Sequence, residues 1–284
     1  MGRSTGNPAG CVYLPADDSL SAGDMQQIAR ELAGCVNEVV FVYNDDGHTV
    51  LRFFSAEREV AFCGHGTIAV MYDLIKNDPA LLRDPIIRIH AGRQELLVRN
   101  EIVIADSVFI SAPQPAELKL SASHDGIAAA LRIAPGDISA KHRIATINAG
   151  LATLIVSVDS LETLLSIHPD QKNLREFCLA NGIEILLVFS TETSSAENGY
   201  RTRVFSPIYG YLEDPATGSG NAALGYYLLK EGTWDGRMIA IEQGKSREHP
   251  NIIRLVSDMS KVQRTIFFGG NAVVRIEGEY LLYP

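Results

Sequence analysis

Apolar and polar residues follow two periods along this chain, and these periods occur in the same order in both halves. The first half reads as a loop entering a strand, a helix, two strands, a helix after a glycine turn, and a strand, over 7–14, 25–34, 38–43, 52–55, 68–76 and 87–92. The second half repeats the series over 148–156, 173–182, 184–189, 203–206, 222–230 and 239–244. Helical spacing and short apolar runs distinguish the two element types. Six pairs in one order predict an internal duplication.

Each half mixes several strands with about two helices, and the connections carry hairpin signals such as NDDG at 44–47. This pattern favours an α+β fold with two pseudo-symmetric halves over a doubly wound sheet. Two prolines mark 111–117 as the best linker, so we predict a first half over 1–112 and a second half over 113–271. A further hairpin is predicted at the C-terminus, and we expect its strands at about 272–284 to return to the first half.

One strand of the second half has no counterpart in the first. The stretch 142–147 predicts a strand ahead of the loop at Asn148, whereas no apolar residue lies between Met1 and Asn7. We therefore expect this chain to lack the equivalent strand, through a misassigned start or a truncation. That loss would leave one sheet edge underpaired.

Charge and cysteine usage narrow the class of partner. The 284 residues include 25 Lys and Arg against 34 Asp and Glu, a net charge of −9 with no basic cluster. This balance predicts binding to neither nucleic acid nor a membrane surface. The four cysteines lack metal-ligand spacing, and no apolar run reaches the roughly 18 residues of a membrane span. We expect a cytoplasmic protein, without metal, whose partners are small molecules or copies of itself.

Two glycine-containing turns precede helices at equivalent places, FCGHGT at 62–67 and DPATGSGN at 214–221. Glycine lets backbone N–H groups approach a ligand, and a helix N-terminus favours an anion. Two such turns facing each other would form a carboxylate-binding cleft between the halves. The alternative interpretation is ordinary helix capping by Thr67 or Ser219. Neither turn has the spacing of a phosphate loop or a dinucleotide fingerprint.

Three titratable residues near these turns are candidates for proton chemistry. His65 lies between two glycines, where an imidazole can exchange a proton near neutral pH. Glu38 begins an apolar run, so partial desolvation would raise its pKa and suit it to general acid–base catalysis. Asp214 opens the second turn. Each also has a structural interpretation: a core histidine, a strand-edge glutamate and a helix N-terminal charge.

Five segments together resemble the phenazine-biosynthesis PhzF-like family: GNPAG at 6–10, NEVVFV at 37–42, the turn at 62–67, EDPATGS at 213–219 and GGNA at 269–272. The resemblance implies a diaminopimelate-epimerase-like fold, in which each half is a bent, mainly antiparallel sheet around a central helix and the active site lies in the cleft between the halves. It also implies a homodimer and an isomerase that uses no cofactor. The best-known member isomerises trans-2,3-dihydro-3-hydroxyanthranilate by moving a proton along a conjugated ring.

The resemblance also assigns roles to residues of this chain. Glu38 would take a proton from one substrate carbon and return it to another, with His65 and Asp214 orienting ring substituents or assisting the transfer. The residues expected to bind a small carboxylated, cyclic or unsaturated metabolite are Asn37, Gly64, Gly66, Gly218 and Ser219. Asn37 stands where many members have serine, which is a departure from the family pattern.

Two alternatives stay open at this point. Related epimerases and racemases use two facing cysteines, and Cys63 matches the first of them, but the second turn offers Asp214 and Pro215 instead of a thiol. A one-thiol epimerase based on Cys63 is therefore the less favoured enzyme. The other alternative is a non-catalytic ligand-binding or dimeric interaction protein on the same fold, because one fold hosts many functions.

Overall fold

The computed structural model describes residues 6–15, 20–92, 94–258 and 264–282. Its strands are β1 Gly10–Tyr13, β2 Glu38–Asp45, β3 His48–Ser55, β4 Glu59–Val60, β5 Ile86–Ala91, β6 Gln94–Glu101, β7 Ser107–Ser111, β8 Ala116–Leu118, β9 Ala145–Asn148, β10 Ala152–Ser157, β11 Ile185–Ser190, β12 Tyr200–Phe205, β13 Glu213–Asp214, β14 Ile239–Gln243, β15 Asn251–Asp258 and β16 Thr265–Gly270. Its α-helices are α1 Ala22–Glu31, α2 Gly64–Asn77, α3 Ile102–Ala105, α4 His124–Leu131, α5 Leu161–Ser166, α6 Gln171–Asn181 and α7 Gly218–Glu231.

All of these strands belong to one sheet, whose main path runs β1-β2-β3-β5-β6-β7-β16-β15-β14-β12-β11-β10-β9-β8. The antiparallel pair β7 and β16 joins the halves, with Ile110 opposite Phe268. Most pairs are antiparallel, as expected for an α+β protein, and the α+β class is confirmed. The hairpin predicted from NDDG connects β2 to β3, where Asp46 and Gly47 have φ values of 47° and 80°. Positive φ at both central residues matches the twist of a tight hairpin.

The order of pairing is the same in the two halves. In the first half the successive neighbours are β1-β2 parallel, β2-β3 antiparallel, β3-β5 parallel, β5-β6 antiparallel and β6-β7 antiparallel. In the second half the same series is formed by β10-β11, β11-β12, β12-β14, β14-β15 and β15-β16. The short strands β4 and β13 add to β3 and β12 at the same place. This agreement supports an internal duplication, which stays an inference, as do the half boundaries near residue 112.

The main hydrophobic core contains the two central helices, which contribute Val70 and Met71 from α2 and Leu224 and Tyr227 from α7. β2 is buried on both faces: Val40 packs in this core, whereas neighbouring residues pack against α1 on the other side. The continuous apolar run in β2 follows from this double coverage, because successive side chains point to opposite faces. On the second half, α4, α5 and α6 cover the outer face.

The C-terminal end of the chain differs from the prediction, and residues 1–5 lie outside the described residues. The predicted C-terminal hairpin is wrong: the strand ends at Gly270, and residues 271–282 form no helix or strand. This segment still contacts the first half, because Asn271 donates to Asp106 at 2.9 Å and Tyr280 donates to Glu31. In the second half, β9 occupies the predicted strand ahead of Asn148, whereas the expected absence of its counterpart concerns residues 1–5, outside the described residues. No helix in the described ranges is long and apolar enough to cross a membrane.

Candidate active site

The central helices of the two halves begin against the same aromatic ring. An added Cβ at Gly64 would lie 3.2 Å from the ring of Phe268, and one at Gly218 would lie 2.1 Å from it. A Cβ at Gly66 would lie 2.5 Å from Val40. Close packing therefore disfavours any side chain at Gly66 and Gly218 and leaves little room for one at Gly64. These glycines bring the first turns of α2 and α7 together, as the paired glycine turns predict.

The central helices also begin without the caps that the peripheral helices have. α1, α4, α5 and α6 start at Ser21, Ser123, Ser160 and Asp170, and each of these side chains accepts a hydrogen bond from the helix backbone. The N-cap residues of α2 and α7, Cys63 and Thr217, provide no such bond. A missing cap costs about 1 kcal/mol and leaves backbone donors available to a ligand.

The capping interpretation of Thr67 and Ser219 is accordingly wrong. Neither residue is the N-cap of its helix, and the Thr67 hydroxyl instead donates to the carbonyl oxygen of Cys63 at 2.8 Å. Asn221 makes the matching bond in α7, since its side-chain amide donates to the carbonyl oxygen of Thr217 at 2.8 Å. These i to i−4 bonds stabilise each first turn from within the helix and do not occupy the N–H groups at its start.

Three reactive side chains from the first half meet at this point. The His65 Nε2 atom lies 3.5 Å from the Glu38 carboxylate, and its Nδ1 atom lies 3.5 Å from the Cys63 sulfur. Glu38 is the first residue of β2, whereas Cys63 and His65 begin α2. The Glu38 and His65 side chains are 23% and 21% exposed, so both remain partly accessible. The structure thus brings together the predicted glutamate and histidine.

Burial shifts the proton affinity of all three groups. It raises the pKa of Glu38 to about 6, and the nearby charge of Asp214 adds to this rise. Burial lowers the pKa of His65 to about 4, so its imidazole is neutral at physiological pH. The pKa of the Cys63 thiol is raised far above its usual range by burial and by the Glu38 carboxylate. Near neutral pH, Glu38 is therefore the group of the three best matched to proton exchange.

Asp214 reaches the site from the second half and is held by the loop that begins the first. Its carboxylate accepts hydrogen bonds from the Asn7 side chain at 2.9 Å and the Ala216 backbone at 3.2 Å. The Asn7 amide also donates to the carbonyl oxygen of Ala216 at 3.2 Å. Asp214 is 8% exposed, and burial raises the pKa of its carboxyl group. Asn7 thus ties the loop before β1 to the turn before α7.

A fully buried glutamine fixes the second turn. The Gln243 amide nitrogen donates to the Asp214 carbonyl oxygen at 2.7 Å and to the Thr217 hydroxyl at 3.0 Å. Its oxygen accepts from the Thr217 backbone at 3.1 Å and from Asn221 at 2.7 Å. Every polar atom of this side chain is satisfied, as a buried amide requires. Gln243 thereby sets the position of Asp214 relative to the start of α7.

Sequence reasoning assigned no role to Asn7, Gln243 or Tyr211. Asn7 lies in a motif that was noted only for its resemblance. Gln243 is a polar residue inside an apolar strand, at the position that Ala91 occupies in the first half. A polar side chain in place of an apolar one at equivalent positions could have indicated a buried hydrogen-bonding role for Gln243. Tyr211 has no sequence signal, yet its phenol pKa is raised above its usual range by burial and by the charges of Asp214 and Glu38.

Asn37, which the resemblance predicts to bind substrate, is exposed and immediately precedes Glu38. The residue of the second half that corresponds to Cys63 is Thr217, because each is the N-cap of its central helix. Asp214 corresponds instead to Val60, since it pairs with β12 as Val60 pairs with β3.

The strand register shows which residue replaces Glu38 in the second half. Val39 opposes Phe54 in the first half, and Leu186 opposes Phe205 in the second. Glu38 therefore corresponds to Ile185, a buried apolar residue. The site is asymmetric, with its raised-pKa glutamate supplied by the first half alone.

Comparison with known proteins agrees with this fold. Residues 3–278 match the model of a family described as phenazine biosynthesis-like protein. An uncharacterized isomerase of Pseudomonas aeruginosa is 32% identical, with 86% of this chain and 83% of that protein covered. The trans-2,3-dihydro-3-hydroxyanthranilate isomerase of Pseudomonas fluorescens is 28% identical, with 98% and 94% covered. A crystal structure of a PhzF-family phenazine biosynthesis protein from Bacillus anthracis superimposes with a TM-score of 0.84 at 23% identity, covering 99% of this chain and 95% of that chain.

The chain belongs to the phenazine biosynthesis-like protein family, as its five motifs predict. It is an enzyme of the isomerase class, in keeping with the names of its curated relatives. The expected epimerase-like fold is confirmed by its structural neighbours, which include a predicted epimerase of Pseudomonas aeruginosa at a TM-score of 0.75.

Proposed function

We propose that this protein is a cofactor-independent isomerase that moves a proton between two carbons of a small carboxylated metabolite, cyclic or unsaturated, with Glu38 as general acid and base. The observation that carries the proposal is the Glu38 carboxyl group, whose pKa is raised to about 6 beside the uncapped starts of α2 and α7. A group with a pKa near the working pH can both accept and return a proton.

The proposed proton transfer leaves the substrate with the same number of protons. Ionised Glu38 removes a proton from one carbon, the electron pair shifts along the unsaturated system, and protonated Glu38 returns a proton to a second carbon. The substrate gains and loses one proton, and Glu38 ends in its starting form. The neutral His65 imidazole carries a single ring N–H, and the Pro8 backbone carbonyl accepts a hydrogen bond from the ring. Its other nitrogen can therefore accept a hydrogen bond from a donor group of the substrate.

The two helix starts suit the carboxylate of such a substrate. Gly64 and Gly66 lie in the first turn of α2, and Gly218 and Ser219 lie in the first turn of α7. Backbone N–H groups at helix starts favour an anion through hydrogen bonds and the helix dipole. Asp214, held by Asn7 and Gln243, would orient a donor group of the substrate on the opposite side. Asn37, next to Glu38, would contact the substrate from the rim of the cleft.

The one-thiol alternative is disfavoured by the environment of Cys63. The thiol is 6% exposed and its pKa is raised well above its usual range, whereas a thiol that acts as a base needs a lowered pKa. The position equivalent to Cys63 in α7 is Thr217, so a facing second thiol is also missing from this place. The homodimer and the cytoplasmic location expected from the sequence belong to the same proposal.

The test is proton exchange in deuterium oxide, followed by nuclear magnetic resonance and mass spectrometry. The probes are trans-2,3-dihydro-3-hydroxyanthranilate, which the Pseudomonas fluorescens relative is named for, and a panel of small unsaturated carboxylates. We expect deuterium at a carbon of at least one probe, with a rate that rises with pH through about 6 as Glu38 ionises. Tight binding of a probe without any exchange would contradict catalysis and favour the binding-protein alternative.

A further inference from the structure

Glu38, Cys63 and His65 present three metal-ligand atoms toward one point. The sulfur lies 3.8 Å from His65 Nε2, which lies 3.5 Å from the Glu38 carboxylate, and all three donor atoms fall within 4.8 Å of one another. A tetrahedral zinc ion with ligands at about 2.0 to 2.3 Å separates those ligands by roughly 3.3 to 3.8 Å. The sulfur–imidazole and imidazole–carboxylate spacings fall in that range, and the sulfur–carboxylate spacing is at most 4.8 Å, so the three donors are near enough to close around one ion.

The chemistry of the three donors selects among the metals. Thiolate and imidazole ligands favour zinc over magnesium or calcium, which take oxygen ligands. The Cys63 thiol releases its proton to solvent when the metal binds. Three protein ligands leave a fourth position of a tetrahedral ion for water or a ligand anion. Cys63 and His65 are two residues apart at the start of α2, and Glu38 lies on the adjoining strand, so two rigid elements hold the set. Sequence spacing gave no hint of this group because Glu38 is distant in the chain.

We propose that Glu38, Cys63 and His65 form a zinc-binding site in the cleft, and that zinc inhibits the enzyme when it occupies that site. The inhibition follows from the proposed function, because a zinc-bound Glu38 carboxylate cannot accept a substrate proton. The binding itself does not depend on that function. Zinc in this role is a reversible inhibitor and not a cofactor.

Cobalt(II) provides a direct probe of the ligands, because a tetrahedral cobalt–thiolate site gives a near-ultraviolet charge-transfer band and strong visible bands. We expect both signals on titration of the metal-free protein with cobalt chloride. The Cys63→Ser variant should lose the charge-transfer band, and zinc competition with a chromophoric indicator should show at least about tenfold weaker binding, since even outer-sphere losses cost 10- to 100-fold. His65→Gln should weaken zinc binding similarly while Cys63 is retained.

Two control variants separate this site from adventitious binding. Cys35 is an exposed thiol, and His48 and His90 form an exposed ring pair with centroids 5.5 Å apart. Cys35→Ser and His90→Ala should keep both cobalt signals. The proposal is overturned if the wild-type protein gives no charge-transfer band, or if the band survives in Cys63→Ser or disappears in Cys35→Ser. Because these spectra need no substrate, a failed zinc site and a failed isomerase assignment give different results. Undiminished proton exchange at saturating zinc would contradict the inhibition.

Discussion

Replacing Glu38 with glutamine is predicted to make the protein more stable, which is unusual for a residue in an active site. The folded state raises the pKa of Glu38 from 4.5 to about 6, so holding this group ionised costs about 2 kcal/mol above pH 6. The cost vanishes below about pH 4.5, where the carboxyl is protonated in both folded and unfolded states. Glutamine has a similar shape and no charge, so Glu38→Gln removes the cost.

The expected result is a gain of about 2 kcal/mol in the free energy of unfolding at about pH 7.5, equivalent to roughly 4 °C in the melting temperature. The gain should shrink toward zero as the pH falls through about 6 to about 4.5. Urea and thermal unfolding at both ends of this pH range provide the measurement. Glu57→Gln is the matched control, since Glu57 is exposed in the turn after β3.

The direction of the pH dependence makes this prediction easy to refute. Most substitutions destabilise a protein. A Glu38→Gln variant that is less stable than the wild type at about pH 7.5, or equally stabilised at both pH values, would show that Glu38 is not penalised by burial. The interpretation of Glu38 as a proton-exchanging group near neutral pH would then lose its physical basis.

Two further substitutions test the structural account. Gly218→Ala should destabilise the protein by about 1 to 3 kcal/mol in urea unfolding, because its Cβ would overlap the Phe268 ring. The control Gly136→Ala should change the stability little, because a Cβ there meets nothing within 4 Å. Equal effects of the two substitutions would refute the packing argument. Arg201→Met should lower the free energy of unfolding by about 3 to 5 kcal/mol, because it leaves the fully buried Glu242 carboxylate without its ion pair. The control Arg88→Met breaks an exposed ion pair and should cost under about 1 kcal/mol. An equally small effect of Arg201→Met would contradict the importance of the buried ion pair.

The repeated fold could be predicted from the sequence because each element carries its own apolar pattern. The run in β2 and the helical spacing in α2 depend on local burial, which recurs at the same order in both halves. The exact equivalences could not be predicted in this way. A three-residue helix over Pro207–Tyr209 follows β12 and has no counterpart after β3, so equal spacing along the chain does not identify equivalent residues beyond these strands.

The site could be predicted in part. Glu38, His65 and Asp214 were identified because titratable groups stood at the edges of apolar runs or glycine turns. Gln243 acts across the fold, through hydrogen bonds to Asp214 and Thr217 that tertiary structure alone creates. The pairing of a neutral imidazole with a high-pKa carboxyl likewise depends on burial, which local sequence does not fix.

The most direct test of the central claim is the rate at which Glu38→Gln transfers solvent deuterium to a compound that the wild-type enzyme labels. General acid–base groups contribute about 100- to 10,000-fold, so we expect the rate to fall by at least about 100-fold while the ligand still binds. Glu57→Gln should label the compound at the wild-type rate. A Glu38→Gln enzyme that labels it within about tenfold of the wild-type rate would contradict the role of Glu38 in proton transfer.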